Sequence, residues 1–132
     1  MGSFVASEIV KKMVQKNIPV KGAKALLLGF TFKENCPDVR NTRVIDIYQD
    51  LVEFGLDVTV YDPWVNIKET EGEYGISVKN RFEDIDTKYS VIILAVAHTE
   101  FLRMDFLKLR NKNSFMYDIK GILDKNIIDE RL

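Results

Sequence analysis

Residues 25–61 read ALLLGFTFKENCPDVRNTRVIDIYQDLVEFGLDVTVY, and this stretch decides the fold. It opens with an apolar run at 25–28 and closes with a second one at 58–61. Between them, apolar residues recur at helical spacing from Val44 to Val52, and Gly55 follows as a helix-ending residue. A strand, an amphipathic helix and a second strand are typical of a β-α-β unit, whose strands are parallel. The sequence therefore predicts a parallel sheet with crossover helices.

The rest of the chain continues the alternation of strand-like and helix-like segments. Residues 91–96 are apolar at every position, which predicts a strand buried on both faces, and 115–117 predict another strand. Weaker patterns predict a helix at 65–74, a short strand at 76–78 and one helical turn at 81–85. We therefore expect an α/β domain with a mostly parallel central sheet.

The first 18 residues predict an amphipathic helix that ends near Asn17 and Pro19. Its apolar side chains stand at helical spacing, at Val5, Ile9, Val10, Met13 and Val14. By itself such a helix would be a lid or a lead-in to the α/β domain.

Composition limits the classes of protein that fit. With 132 residues and 46% hydrophobic content, we expect one compact domain. Nineteen basic and twenty acidic residues give a net charge of -1, so we expect no nucleic-acid or membrane partner. No apolar run reaches the roughly 18 to 20 residues that span a bilayer, and the start lacks a signal-peptide core, so we expect a cytoplasmic protein. One cysteine and one histidine predict neither a disulfide framework nor a metal site.

The loop between the first predicted strand and its helix, residues 29–41, is the best candidate for a binding site. Such loops usually have about 2 to 6 residues, and longer ones tend to be functional. In open parallel sheets, ligands bind beyond the carboxyl ends of the strands. The loop also leads into a helix whose free amides, capped by Asn41 or Thr42, suit a phosphate.

Two cations, Lys33 and Arg40, belong to this loop. They either contribute to an anion site or are solvated charges partnered by Glu34 and Asp38, and the sequence supports both readings about equally.

Lys120 adds a third cation, because it follows the strand at 115–117 and so emerges at the same sheet edge. Convergence of Lys120 with the two loop cations would suit a pyrophosphate. Alternatively, Asp118 holds Lys120 as a structural pair.

Four other residues are weaker candidates. The loop does not fit an NAD cradle, since GxGxxG is required and only Gly29 is present. Asp62 follows the second strand, where a ribose-binding acid would lie, but Asp-Pro is more often a turn. Cys36 sits among acidic residues that disfavour a thiolate. His98 is either a site residue or a capping and packing residue near Thr99.

Four segments together resemble one known family. They are GFTFKENCPDVRN at 29–41, YDPW at 61–64, LAVAH at 94–98 and YDIKG at 117–121, and they resemble the UDP-binding domain of the UDP-glucose/GDP-mannose dehydrogenase family. Within these segments, the residues NCPD at 35–38 and AVAHTEF at 95–101 are most similar to the branch that oxidises UDP-N-acetylhexosamines for bacterial surface polysaccharides.

This resemblance implies a three-layer Rossmann-like domain preceded by an N-terminal helix. Residues 1–22 would be a lead-in helix and linker from a central domain, and residues 23–132 the UDP-sugar-binding α/β domain. The full-length enzyme would then be a homodimer formed through that central domain.

The resemblance also implies two successive NAD-dependent oxidations of the sugar C6 hydroxyl to a carboxylate, with a UDP-N-acetylhexosamine or UDP-glucose as substrate. The catalytic cysteine and the GxGxxG cofactor fold lie in other segments of family members. We therefore expect no catalytic residue in this chain, with NAD bound mainly by an N-terminal domain, and Cys36 does not match.

Site residues follow from the same resemblance. By position, Lys33 resembles the family lysine that contacts the UDP-sugar, and Phe32 is its neighbour along the ligand. Arg40 resembles an arginine that reaches toward the cofactor. Lys120 stands where many members carry arginine, so a compact ammonium charge replaces a planar guanidinium that can form two parallel hydrogen bonds.

A different class of function is a stand-alone nucleotide-binding or regulatory module on the same scaffold. Such a module would bind a UDP-sugar tightly by itself, whereas a part of a split site would bind it weakly. A response-regulator receiver is disfavoured, because the first strand ends in Leu28-Gly29 rather than in acidic residues.

Overall fold

The computed structural model describes residues 2–120 and 130–131, with side chains described for 4–120. Within these residues six strands form one sheet in the order β3-β2-β1-β4-β5-β6, and every pair is parallel. The strands are β1 Lys24–Leu28, β2 Asp57–Tyr61, β3 Val78–Lys79, β4 Tyr89–Leu94, β5 Arg110–Asp118 and β6 Glu130–Arg131. The predicted α/β class and parallel sheet are confirmed.

Helices cover both faces of the sheet and give three layers. The α-helices are α1 Gly2–Gln15, α2 Val44–Glu53, α3 Ile67–Tyr74 and α4 Phe106–Leu109, and short 3-10 helices span Phe82–Asp84 and Thr99–Arg103. The predicted helix at 65–74 is α3, and the predicted turn at 81–85 is the first 3-10 helix.

The two central strands carry apolar side chains on both faces, which is why β1 and β4 lie in the middle. Ala25 and Leu27 of β1 face the side covered by α1 and α2. Leu26 and Leu28 face the other side, where the Thr99–Arg103 helix and α4 pack. All four side chains are fully buried, and each buried leucine contributes about 1.5–3 kcal/mol.

The N-terminal helix is part of the main core. Val5, Ile9 and Met13 of α1 are buried in the same cluster as Leu51 of α2. The helix ends as predicted near Asn17, which has a positive φ of 60°. The proposed domain boundary at residue 22 stays a prediction.

Some predicted boundaries differ from the structure. Strand β4 ends at Leu94 rather than at 96, because the amides of Ala95 and Val96 both turn to donate to the carbonyl of Leu28 on β1. Strand β5 begins earlier than predicted and contains a bulge, where Arg110 pairs with Tyr89 but Phe115 pairs with Val91. Strand β3 lies at Val78–Lys79 rather than at 76–78. In the part of the chain that the structure describes, no helix has the length and apolar character needed to traverse a bilayer.

Candidate functional site

The strand order reverses between β1 and β4, and a cavity of about 200 Å³ lies beside this point, at the carboxyl ends of the strands. In doubly wound sheets this is the place where ligands bind. The cavity receives the loops after β1, β4 and β5 together with the start of α2. Its lining residues are Val5, Thr31, Phe32, Lys33, Glu34, Thr42, Arg43, Val44, Ile47, Ala95, Val96, Ile119 and Lys120.

Three cationic side chains line this cavity: Lys33, Arg43 and Lys120. The predicted meeting of Lys33 and Lys120 at one edge is confirmed. Within residues 4–120, none of the three side chains forms an ion pair or a hydrogen bond, and all three residues are exposed. Asp118 accepts a hydrogen bond from the backbone amide of Lys120 at 3.0 Å. The lining therefore carries three cations and one acidic residue, Glu34, and no ion pair within residues 4–120 occupies the three cations.

Arg40 is not part of this group, so the predicted convergence of three cations is wrong for Arg40. Its guanidinium is paired with Asp38, at 3.0 Å from Nε to Oδ1 and 3.2 Å from Nη2 to Oδ2. This hydrogen bonding holds the pKa of Asp38 below its usual value and raises the pKa of Arg40. The reading in which Asp38 partners Arg40 is thus confirmed, whereas a contact of Arg40 with the cofactor stays a prediction.

The start of α2 faces the cavity through Thr42, Arg43 and Val44. Of the two predicted caps, Thr42 makes the bond: its hydroxyl accepts from the amide of Val44 at 3.2 Å. Asn41 is exposed and has a φ of 60°. Arg43 occupies the N-cap position, and sequence reasoning missed it. The available signal was its place directly before the apolar stripe of α2, which puts it at the sheet edge.

A buried carboxylate, Asp62, fixes the beginning of the loop after β1. Its Oδ2 accepts from the amides of Phe30 at 2.6 Å and Thr31 at 3.0 Å, and its Oδ1 accepts from the amide of Trp64 at 2.8 Å. The hydrogen bond from the Trp64 amide closes the turn that the Asp-Pro pair predicts. Because both oxygens are occupied and the side chain is fully buried, Asp62 is a structural anchor rather than a ribose ligand.

His98 extends this anchor to the middle of the loop. Its Nε2 lies 2.9 Å from Asp62 Oδ2 and 3.0 Å from Thr31 Oγ1, and its Nδ1 is 2.8 Å from the amide of Asn35. A backbone amide can only donate, so Nδ1 accepts and the proton is on Nε2. The buried imidazole is therefore neutral, and its packing role is confirmed. We name Thr31, Asn35, Asp62 and His98 the loop anchor.

Further bonds hold the rest of the loop. The Asn35 side chain donates to Thr99 Oγ1 and accepts from the Thr99 amide, each at 3.0 Å. The amide of Phe32 donates to the carbonyl of Asp38 at 2.7 Å. The Tyr74 hydroxyl donates to the carbonyl of Val39, near the end of the loop. Phe32 nonetheless remains 57% exposed. The loop is thus a shaped segment that presents Phe32 toward the cavity. Cys36 is a partly buried free thiol outside the lining.

The turn after β1 does not fit the pyrophosphate of NAD. Gly29 has a φ of 95°, and a Cβ there would stand 2.5 Å from the Cβ of Val96. The glycine is required for close approach of the loop after β4, not for a phosphate. No cluster of three or more His, Cys, Asp or Glu side chains that suits a metal ion occurs among the described residues.

Comparison with known proteins matches residues 26–125 to the model of the UDP-glucose/GDP-mannose dehydrogenase family, UDP binding domain. The chain is 45% identical to UDP-N-acetyl-D-glucosamine 6-dehydrogenase of Pseudomonas aeruginosa, covering 100% of this chain and 32% of that protein. It is 40% identical to the enzyme of the same name in Salmonella typhi, covering 100% of this chain and 31% of that protein. The chain thus spans about a third of the length of these relatives.

Solved structures share the fold. The UDP-D-ManNAc dehydrogenase of Pyrococcus horikoshii superimposes with a TM-score of 0.76 at 18% identity, over 98% of this chain and 30% of that one. An NDP-N-acetyl-D-galactosaminuronic acid dehydrogenase of Methanosarcina mazei superimposes with a TM-score of 0.78 at 18% identity, over 95% of this chain and 27% of that one. Fold, motifs and family match agree, and the chain belongs to the UDP-glucose/GDP-mannose dehydrogenase family through its UDP-binding domain.

Proposed function

We propose that this chain holds the UDP-sugar substrate of an NAD-dependent UDP-sugar 6-dehydrogenase. The favoured substrate is a UDP-N-acetylhexosamine, with UDP-glucose as the alternative, and the product is the corresponding uronic acid. The names of the two relatives with 45% and 40% identity support the hexosamine. A cytoplasmic role in surface polysaccharide synthesis belongs to the same proposal and rests on the resemblance of the motifs.

The observation that carries the proposal is the cavity lined by three cations whose side chains form no ion pair or hydrogen bond within residues 4–120. A diphosphate is strongly anionic and accepts hydrogen bonds from ammonium and guanidinium groups. Lys33, Arg43 and Lys120 supply those groups, and the start of α2 adds the positive end of a helix dipole. Arg43 provides the planar fork that Lys120 lacks.

The remaining lining suits the less polar parts of the ligand. Val44, Val96 and Ile119 give an apolar wall, and the exposed ring of Phe32 offers a flat face for the base or the sugar. Apolar walls with a few polar groups are typical of small-molecule sites.

The size of the cavity indicates a partial site. Ligand pockets usually measure about 300–1,000 Å³, whereas this cavity has about 200 Å³. We propose that the rest of the pocket, the catalytic thiol and most of the NAD site belong to the segments that the relatives have beyond the matched third. A homodimer formed through the central domain is part of this proposal. This chain would orient the nucleotide, and that binding energy would position the distant C6 hydroxyl.

Calorimetry with UDP tests the proposal on this chain. We expect a Kd in the micromolar range or weaker, and a roughly tenfold or greater loss of affinity in Lys33→Ala and in Arg43→Ala. Lys112→Ala is the matched control, since it removes the same charge from an exposed residue in the bulge of β5, away from the cavity. Equal affinity in all three variants would refute the site. A sub-micromolar Kd would instead favour a stand-alone module.

A further inference from the structure

We infer that His98 is a positioning residue that sets the shape of residues 32–34, the short arch that presents Phe32 and Lys33 to the ligand. The inference deepens the proposed function and rests on it for the identity of the ligand. His98 lies outside the cavity lining.

The imidazole holds both ends of the arch. At the first end, Nε2 lies 3.0 Å from Thr31 Oγ1, and the Thr31 hydroxyl donates to the carbonyl of Lys33 at 3.0 Å. At the second end, Nδ1 accepts from the amide of Asn35 at 2.8 Å. Only three residues separate Thr31 from Asn35, so fixing both ends restricts where Lys33 can point.

The surroundings of His98 fix the ring. Nε2 is 2.9 Å from Asp62 Oδ2, and the side chains of both residues are fully buried. The ring packs at 6.0 Å from Trp64 and 5.4 Å from Phe101, measured between ring centroids. Because interior side chains are closely packed, the ring cannot follow the arch if the arch moves.

Position 98 requires a side chain with a hydrogen-bond donor on one side and an acceptor on the other. Neutral imidazole provides both, at Nε2 and Nδ1. Asparagine at this position can reproduce the acceptor near Nδ1, and glutamine can reproduce the donor near Nε2, but neither supplies both. The two substitutions therefore separate the two ends of the arch.

The experiment compares His98→Asn and His98→Gln with the wild-type chain by amide hydrogen exchange and by UDP calorimetry. We expect the Asn35 amide to exchange faster in His98→Gln and to stay protected in His98→Asn. Both variants should bind UDP about tenfold more weakly, the equivalent of one lost hydrogen bond. Lys112→Ala, the exposed change in the bulge of β5 that also serves as the control for Lys33→Ala, should alter neither measurement.

The outcomes separate a positioning role from a merely structural one. If His98 only stabilises the fold, both variants unfold more easily but bind UDP with wild-type affinity once folded, and the inference is overturned. Unchanged exchange across residues 32–35 in His98→Gln also overturns it. If the wild-type chain fails to bind UDP, the proposed function fails, while the exchange data still decide whether His98 shapes the arch. Thr31→Val, which removes one hydroxyl and keeps the ring, replaces the two variants if neither folds, and it should expose the amides of residues 32–34.

Discussion

Replacing Asp62 should weaken the fold in proportion to the number of hydrogen bonds that each variant loses. The carboxylate accepts four bonds, from the amides of Phe30, Thr31 and Trp64 and from Nε2 of His98. In Asp62→Asn, the new amide group fits best at the Oδ1 position, where only the Trp64 bond is lost. A hydrogen bond to a charged group contributes about 1.5–3 kcal/mol, so we expect a loss of about 2 kcal/mol.

Asp62→Ala removes all four acceptor contacts. A simple sum would exceed the real effect, because water can enter the vacated space and satisfy some donors. Substitutions that leave buried groups without partners usually cost about 3–5 kcal/mol, and we expect a value in that range. For a chain of 132 residues, 1 kcal/mol corresponds to a shift of roughly 3–5 °C in Tm.

Urea denaturation followed by far-UV circular dichroism measures these differences. Asp57→Asn is the control, since it makes the same chemical change at an exposed position on the same strand, and it should stay within about 0.5 kcal/mol of the wild type. An Asp62→Asn midpoint equal to that of the wild type would refute the reasoning. An Asp62→Ala variant that is as stable as Asp62→Asn in urea would also refute it.

Four further predictions concern other parts of the chain. Gly29→Ala should destabilise the fold by about 2 kcal/mol or more in urea denaturation, because it adds a steric clash to a φ of 95°. The hydrogen bond from Lys24 holds the pKa of Asp86 below its ordinary value, so its contribution to stability is present above that ordinary value and is lost as the pH falls through the folded pKa. Asp86→Asn should therefore be less stable than the wild type at pH 7, and the difference should shrink as the pH is lowered, measured by urea denaturation across that range. Tyr74→Phe removes the hydroxyl bonded to the loop after β1 and should cost about 1 kcal/mol in the same assay. In the full-length enzyme, Lys33→Ala should lower turnover by orders of magnitude in steady-state kinetics with a normal circular dichroism spectrum.

Much of the fold was predictable because local periodicity reports which face of a segment is buried. The run at 25–28, the stripe on α2 and the run at 91–96 each carry enough apolar side chains to identify the two central strands and the crossover helix that follows the first of them. Parallel strands also place their carboxyl ends at one edge. This rule was sufficient to bring Lys33 and Lys120 together across almost ninety residues of sequence.

Weak or short segments were predicted less accurately. Both ends of β4 shifted by two residues, and the ends of β3 shifted by two and by one. Strand ends depend on which neighbouring carbonyl an amide meets, and that neighbour is distant in sequence.

By itself, then, the sequence determined the β-α-β architecture, the sheet edge that carries the candidate site and two of the three cations there. Only the tertiary structure decided that Arg43 rather than Arg40 completes the set, because the loop turns through positive φ values at Asn35 and Asn41 and leaves Arg40 against Asp38. It alone also decided that Asp62 and His98 are anchors instead of ligands. The physical reason is that hydrophobic periodicity is a local property, whereas a buried hydrogen bond joins groups that lie more than thirty residues apart in the chain.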